Sequence, residues 1–121
     1  MEMQQLVIAG AGPAGVSAAL YAVRMGFPPL VIHNGYGALE KAEKIENYYG
    51  LPSPVSGKEL YENGLSQLAA LNVPVLKDEL LSITYDGEYT IQASEGSYHT
   101  QALILATGTK RNTLSLKELK K

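Results

Sequence analysis

The chain has 121 residues, 45% hydrophobic and 18% charged, which suits one compact α/β domain over residues 1–121 rather than a disordered or collagenous chain. Ten basic and twelve acidic residues leave a formal net charge of −2, so there is no electrostatic footprint for nucleic acid or an anionic membrane. The absence of cysteine removes disulfides, thiolate nucleophiles and cysteine-bound metal from these residues, and His33 and His99 lack the spacing of a metal-binding pair, so no metal is expected and a cytoplasmic location is.

Residues 6–23 are eighteen uncharged positions in a row, the length at which a spanning helix or a signal peptide must be considered. Gly10, Gly12, Pro13 and Gly15 interrupt the run, and Glu2 stands where a basic flank would be needed, so neither is expected. Residues 5–9 instead read as a strand buried on both faces. A helix follows from Pro13, whose missing N–H is not needed in a first turn, with Val16, Leu20 and Val23 on its apolar face, and it stops at Gly26. Residues 30–33 are a second buried strand, which completes a β-α-β unit.

Residues 34–57 have no sustained period and predict a long surface excursion with a short helical turn near residues 40–44. Helical spacing returns over residues 56–71, with Leu60, Gly64, Leu68 and Leu71 along one side and Ser56 preceding Glu59 at the capping-box offset. Residues 73–76 read as a third parallel strand. Residues 80–85, 89–93 and 97–101 alternate in polarity around Asp86-Gly87 and Glu95-Gly96, the pattern of an antiparallel three-stranded meander. Residues 102–106 are continuously apolar and predict a further central strand. The fold class expected is therefore α/β: a Rossmann-like parallel sheet with helices on its faces, plus the meander.

Gly10-Ala11-Gly12-Pro13-Ala14-Gly15 has the form G-x-G-x-x-G between a strand and a helix. In that context the first glycine permits the tight turn, the second lets a pyrophosphate approach the backbone, and the third lets helix and strand pack closely. The acidic residue that would take ribose hydroxyls about twenty positions later is absent. His33 and Asn34 occupy that strand end, and the Asn34 amide oxygen is a neutral acceptor in its place. This departure weighs against an ordinary NAD dehydrogenase. A stand-alone nucleotide-binding or interaction module with a vestigial glycine-rich loop remains an alternative.

Three segments, Gly10 to Gly15 as GAGPAG, Ile45-Glu46-Asn47-Tyr48-Tyr49-Gly50, and Ala106-Thr107-Gly108, resemble in order and spacing the FAD-binding portion of low-molecular-weight thioredoxin reductases and their alkyl-hydroperoxide-reductase-flavoprotein relatives. The resemblance covers nearly the whole chain. It implies that the FAD pyrophosphate lies at Gly10, Gly12, Pro13, Ala14 and Gly15, with the adenosine ribose near Asn34. It implies a flavin-side contact at Asn47, an adenine-side backbone contact at Val75, and a cofactor border at Ala106, Thr107 and Gly108. The family's Gly-Gly-Gln-Leu loop aligns with Tyr36-Gly37-Ala38-Leu39, placing Leu39 at the cofactor but a methyl where the glutamine amide would be. The family's proline is replaced at Tyr49.

The resemblance further implies an incomplete FAD/NAD(P)-binding domain. The family's NAD(P)H domain, its Cys-x-x-Cys and the helix that returns to complete the FAD site have no counterpart here, so no catalytic residue is expected in this chain. NAD(P)H is expected to act only in the parent, and the sequence leaves the redox partner open among thioredoxin, a peroxiredoxin partner, ferredoxin or another acceptor. Two or three absent hydrogen bonds to phosphate, each about 1.5 to 3 kcal/mol, would weaken FAD at least about a hundredfold, so weak or absent FAD is expected. A homodimer through the surface bared by such a truncation is expected as well.

Overall fold

The computed structural model of the chain describes residues 3–35 and 41–108. Eight strands and two helices follow in the order β1 (Met3–Gln4), β2 (Leu6–Ala9), α1 (Pro13–Arg24), β3 (Pro29–His33), α2 (Gly57–Ala70), β4 (Val75–Lys77), β5 (Leu80–Tyr85), β6 (Tyr89–Ala93), β7 (Ser97–Thr100) and β8 (Leu103–Leu105). β4, β3, β2 and β8 form a parallel sheet in that order, and β1, β7, β6 and β5 form a second. The middle strands of the parallel sheet, β2 and β3, are buried almost throughout, as their unbroken apolar sequences require.

The register sorts their side chains into two cores. Val7 pairs with Leu30 and Ile8 with Val31, so alternate residues face opposite sides. Leu6, Ile8 and Val31 pack with Val16 and Ala19 of α1 and with Tyr61 and Leu68 of α2. Val7, Leu30 and Ile32 pack with Ile91 of β6, joined by Leu80, Tyr98 and Leu103. Both helices therefore cover one face and the meander covers the other, which gives three layers in which each sheet face is sealed by a different kind of element.

Small residues set the depth of α1. Gly15, Ala19 and Ala22 form its buried face with Val16, while Leu20 and Val23 are half-buried beside it. Gly64 of α2 faces Val16 so closely that an added Cβ would stand 3.2 Å from Val16 Cγ2, so the two helices meet across a glycine. On α2 the buried positions are Gly57, Tyr61 and Leu68, and Leu71 lies exposed at the C-cap rather than on the apolar side. Ser56 caps α2 by accepting the Glu59 N–H at 3.0 Å, as the capping-box offset anticipates. The helical turn expected near residues 40–44 falls partly outside the described residues; from Ala42 to Lys44 the chain is not helical, and Ile45 bridges Val55 to close the excursion.

The meander has the expected register, Ile83 opposite Ile91 and Ile91 opposite Tyr98. It gains a fourth strand that local pattern does not announce: Met3 and Gln4 pair in parallel with His99 and Thr100. The two sheets are tied at Asp78, which is buried at the exit of β4. Its carboxylate accepts the Glu79 N–H at 2.8 Å, the Glu95 N–H at 3.2 Å and the Tyr98 hydroxyl at 3.1 Å. Burial, with Asp78 next, pushes the Tyr98 phenol above its ordinary value and keeps it protonated as a donor.

Replacing Asp78 with alanine would leave three donors in a water-poor site without their acceptor. The expected loss is about 2 to 4 kcal/mol of unfolding free energy, read from the shift of the urea midpoint. A loss below about 0.5 kcal/mol would show that the carboxylate does not tie the layers.

Candidate functional site

The carboxyl ends of β2, β3 and β8 converge on the loop of residues 10–15. Gly10 donates its N–H to the Ile32 carbonyl at 2.7 Å, and Ala106 donates to the Ala9 carbonyl at 2.7 Å, so the glycine-rich loop leaves the sheet between its two neighbours. Gly10 has φ +120°, and a Cβ there would stand 2.0 Å from the Ala106 carbonyl oxygen. A Cβ on Gly15 would stand 1.9 Å from the Gly10 carbonyl oxygen. Both glycines are required by the chain's own packing. Gly12 differs: a Cβ there would meet nothing within 4 Å. The middle glycine faces open space at the mouth of the site, as the approach of a pyrophosphate to the backbone requires.

Gly12 is also the N-cap of α1, and no side chain caps the helix. The first intrahelical bond runs from the Val16 N–H to the Gly12 carbonyl at 2.9 Å. Pro13 has no N–H, so the donors of Ala14 and Gly15 precede that bond at the positive end of the helix. Acidic residues are absent from this first turn. The arrangement supplies directed donors and partial positive charge without a competing carboxylate, which is the chemistry an oxygen-rich anion needs.

The other expected site residues are distributed around this loop. Asn34 is exposed at the end of β3, next to β2. Ala106, Thr107 and Gly108 leave β8 against Gly10, and Gly108 turns with φ +73°. Val75 lies on β4, the edge strand. The Val31 N–H goes to the Pro74 carbonyl and the Asp78 N–H to the His33 carbonyl. In a parallel ladder this alternation turns the N–H and C=O of Val75 away from β3, onto the open edge. Asn47 is exposed in the excursion, with Tyr48 beside it. A groove of roughly 230 Å³ opens between α1 and α2, bordered by Gly12, Pro13, Ser17, Tyr48, Tyr61 and Gly64, so this loop reaches the glycine-rich turn through Tyr48. Tyr49 is fully exposed. Leu39 lies outside the described residues.

Two contributors were not evident in the sequence. Tyr61 of α2 donates its hydroxyl to His33 Nδ1 at 2.5 Å, with the rings tilted at 59°. The spacing of Gly57, Tyr61, Gly64 and Leu68 at four, three and four residues was the available signal, masked by the more apolar Leu60 and Leu71. Lys77 is the register partner of His33 on β4. The Gly35 N–H also points at His33 Nδ1, at 3.2 Å, and an N–H can only donate. Nδ1 is therefore an acceptor and the proton sits on Nε2. Burial above all lowers the His33 pKa below its ordinary value of 6.5, outweighing an opposing effect at Gly35, and favours this neutral form; the Lys77 charge adds a smaller push in the same direction.

Among the described residues no group of three or more histidine and carboxylate side chains is placed to hold a metal ion, and no helix is long and apolar enough to cross a membrane.

Residues 4–121 match the family described as pyridine nucleotide-disulphide oxidoreductase. The chain is 31% identical over 120 residues to a thioredoxin reductase of Streptomyces coelicolor, covering 95% of this chain and 37% of that protein. It is 35% identical over 116 residues to a thioredoxin reductase of Treponema pallidum, covering 92% and 37%. Among solved structures, an atypical thioredoxin reductase from Desulfovibrio vulgaris Hildenborough matches with a TM-score of 0.83 at 36% identity, over 92% of this chain and 38% of that one. A ferredoxin-flavin thioredoxin reductase from Clostridium acetobutylicum matches at 0.81 and 30%, over 94% and 40%. The chain thus spans little more than a third of the length of these relatives.

Because the folded pKa of His33 lies below the unfolded value, the unfolded chain binds more protons between the two, and stability is lost as pH falls through that window. Urea unfolding of the wild type is expected to weaken from pH 7.5 towards 5.5, and the His33→Gln variant to show a shallower slope. Parallel profiles for the two proteins would exclude a neutral, buried role for this ring.

Proposed function

The chain belongs to the pyridine nucleotide-disulphide oxidoreductase family, and from that premise we propose that it is the FAD-binding portion of a thioredoxin-reductase-like, NAD(P)H-dependent flavin oxidoreductase. The observation that carries the reading is the contrast among the three glycines. Gly10 and Gly15 are fixed by internal contacts, whereas Gly12 leaves open space in front of an uncapped helix start.

In this reading the amides of Ala14 and Gly15 would hold the diphosphate, with Gly10, Gly12 and Pro13 shaping the turn beneath it. Asn34 would meet the adenosine ribose, and the outward backbone of Val75 is turned suitably for the adenine side. Ala106, Thr107 and Gly108 would border the cofactor from β8. Asn47, with Tyr48 bordering the same groove as Pro13, would approach the flavin side, and Leu39 belongs to the same proposed set. Bound FAD would supply a two-electron acceptor for hydride from NAD(P)H and pass electrons onward. The 121 residues contain no cysteine, so their part is to bind and orient, and disulfide exchange would need groups beyond them. A cytoplasmic setting accords with that cysteine-free composition.

Self-association belongs to the same proposal. β5 is an edge strand carrying Leu81 and Tyr85 at 59% and 65% exposure, and β8, the edge of the other sheet, carries Leu105 at 63%. Unpaired edges with apolar side chains favour pairing with a second copy. Sedimentation velocity across a hundredfold concentration range is expected to show a dimer at the upper end; a single monomer boundary throughout would remove this part.

The cofactor reading is tested by titrating the purified chain with FAD, following flavin fluorescence. Binding is expected with a dissociation constant in the range of tens of micromolar or weaker, because relatives extend far beyond the matched portion. Gly12→Val is expected to lower affinity at least about tenfold while keeping the melting temperature within a few degrees, because its side chain meets only the ligand's space. Gly15→Ala is expected instead to destabilise the fold. No binding up to millimolar FAD, or unchanged binding by Gly12→Val, would falsify the reading.

A further inference from the structure

We propose that Tyr61 and His33 are positioning residues for the cofactor site: their hydrogen bond fixes the turn at residues 33–35 and so holds Asn34 in place for the adenosine ribose of FAD. The inference rests on the cofactor reading above and adds two residues that stand outside its contact set. The turn is built on one acceptor. His33 ends β3, and its Nδ1 takes the N–H of Gly35, two residues further on, at 3.2 Å. Gly35 has φ +89°. Glycine populates positive and negative φ about equally, so local preference does not choose this geometry, and the bond to Nδ1 supplies the choice.

That choice needs an imidazole that does not rotate away. Tyr61 supplies the hold, because its hydroxyl reaches the same Nδ1 at 2.5 Å from α2, with the ring centroids 5.8 Å apart. The phenol is itself only 4% exposed and packs in the core cluster that also contains Val16, Val31 and Leu68. A side chain seated in that core cannot follow the imidazole, so the imidazole is held by it. Asn34 lies between the two residues that Nδ1 joins, and it is exposed. A ligand that bonds Asn34 therefore meets backbone already set on both sides, and without the bond to Nδ1 the ordering cost would fall on binding. Tyr61 also borders the groove that opens beside Gly12, Pro13 and Tyr48. One side chain of α2 thus serves both the strand end and the groove at the glycine-rich turn.

The arrangement works only while Nδ1 keeps its lone pair. A proton there would reverse the bond to Tyr61, whose hydroxyl can accept, and would set N–H against the Gly35 N–H, which cannot. Burial of the ring opposes that proton. Among the described residues, the titratable groups around the ring come from two elements. On α2 they are Tyr61, with Lys58 and Glu62 beside it in sequence. At the end of β4 they are Lys77, the register partner of His33, and Asp78, whose carboxylate is turned to the meander. Acid should therefore loosen the turn through Nδ1 itself, and removing the Tyr61 hydroxyl should loosen it without acid.

Titration of the intact chain with FAD, followed by flavin fluorescence at pH 7.5 and again at 5.5, reads both effects. Tyr61→Phe, which removes only the hydroxyl, is expected to weaken FAD about three- to tenfold at pH 7.5, and the wild type to weaken by a similar factor on moving to pH 5.5. His33→Leu removes the acceptor and should behave as Tyr61→Phe does. His33→Asn puts an amide oxygen where Nδ1 stood, an acceptor that does not titrate, so it should bind within about twofold of the wild type at pH 7.5 and lose the pH dependence. A merely structural role for the pair would give neither that rescue nor that profile, and the wild-type profile needs no variant to fold. FAD affinity unchanged by Tyr61→Phe, His33→Asn as weak as His33→Leu, or a wild-type affinity that is flat between the two pH values would each overturn the inference and leave the cofactor reading standing. FAD that fails to bind the wild type at either pH would bring down the cofactor reading and this inference with it.

Discussion

Two carbonyl oxygens hold this fold around its candidate site. The Ala106 carbonyl occupies the space in front of Gly10, and the Gly10 carbonyl occupies the space in front of Gly15, each at a distance that no Cβ tolerates. Through those two approaches the last parallel strand, the first parallel strand and the start of α1 come together at one point. The start of the helix is thereby held to the sheet's carboxyl edge by backbone contact, and the packing of Val16, Ala19 and Ala22 holds the rest. The small residues Ala19 and Ala22 extend the same close approach along α1. The loop's candidate chemistry follows from this geometry, since a helix start fixed by such contacts would present its donors to a ligand already oriented.

The three-layer arrangement divides labour between the two faces of the parallel sheet. The helix side supplies the site: the start of α1, the groove towards α2, and Tyr61 steadying His33. The meander side supplies closure, with Ile91 and Tyr98 sealing Val7, Leu30 and Ile32 from water. Asp78 connects the two functions, because it sits immediately after β4 and accepts from both the β4–β5 connection and the meander. A single carboxylate thus fixes the edge strand that carries Val75 and Lys77 relative to the layer beneath it.

Much of this was legible from local pattern. The uninterrupted apolar runs of β2 and β3, the Ser56 cap of α2, and the hairpin turn in which Gly87 takes φ +76° each rest on interactions within a few residues. What was not legible depends on partners far apart in the chain. Met3 and Gln4 become a strand only because Thr100 and His99 lie beside them, and two residues carry no period of their own. The seating of the meander on the face opposite the helices follows from packing that strand alternation cannot choose. Tyr61 was overlooked because Leu60 is the more apolar neighbour, yet helical geometry turns the tyrosine inward to meet an imidazole 28 residues earlier. The G-x-G-x-x-G spacing identified the candidate site, but only the contacts distinguish Gly12, open to a ligand, from Gly10 and Gly15, closed by the protein itself.

That distinction separates two kinds of information at one site. At the glycine-rich turn the information lies in the backbone, in three glycines and the N–H groups of an uncapped helix start. At the end of β3 and on β4 it lies instead in side chains, among them the exposed Asn34 and Lys77. His33, held by Tyr61, and an exposed Asn34 stand where folds that select a free ribose carry a carboxylate. Asp78, one residue beyond Lys77, is turned into the interlayer contact, where its carboxylate accepts from Glu79, Glu95 and Tyr98. The contact that holds the two layers together therefore also keeps this acidic side chain on the meander side of the sheet, away from the helix side where the candidate site lies.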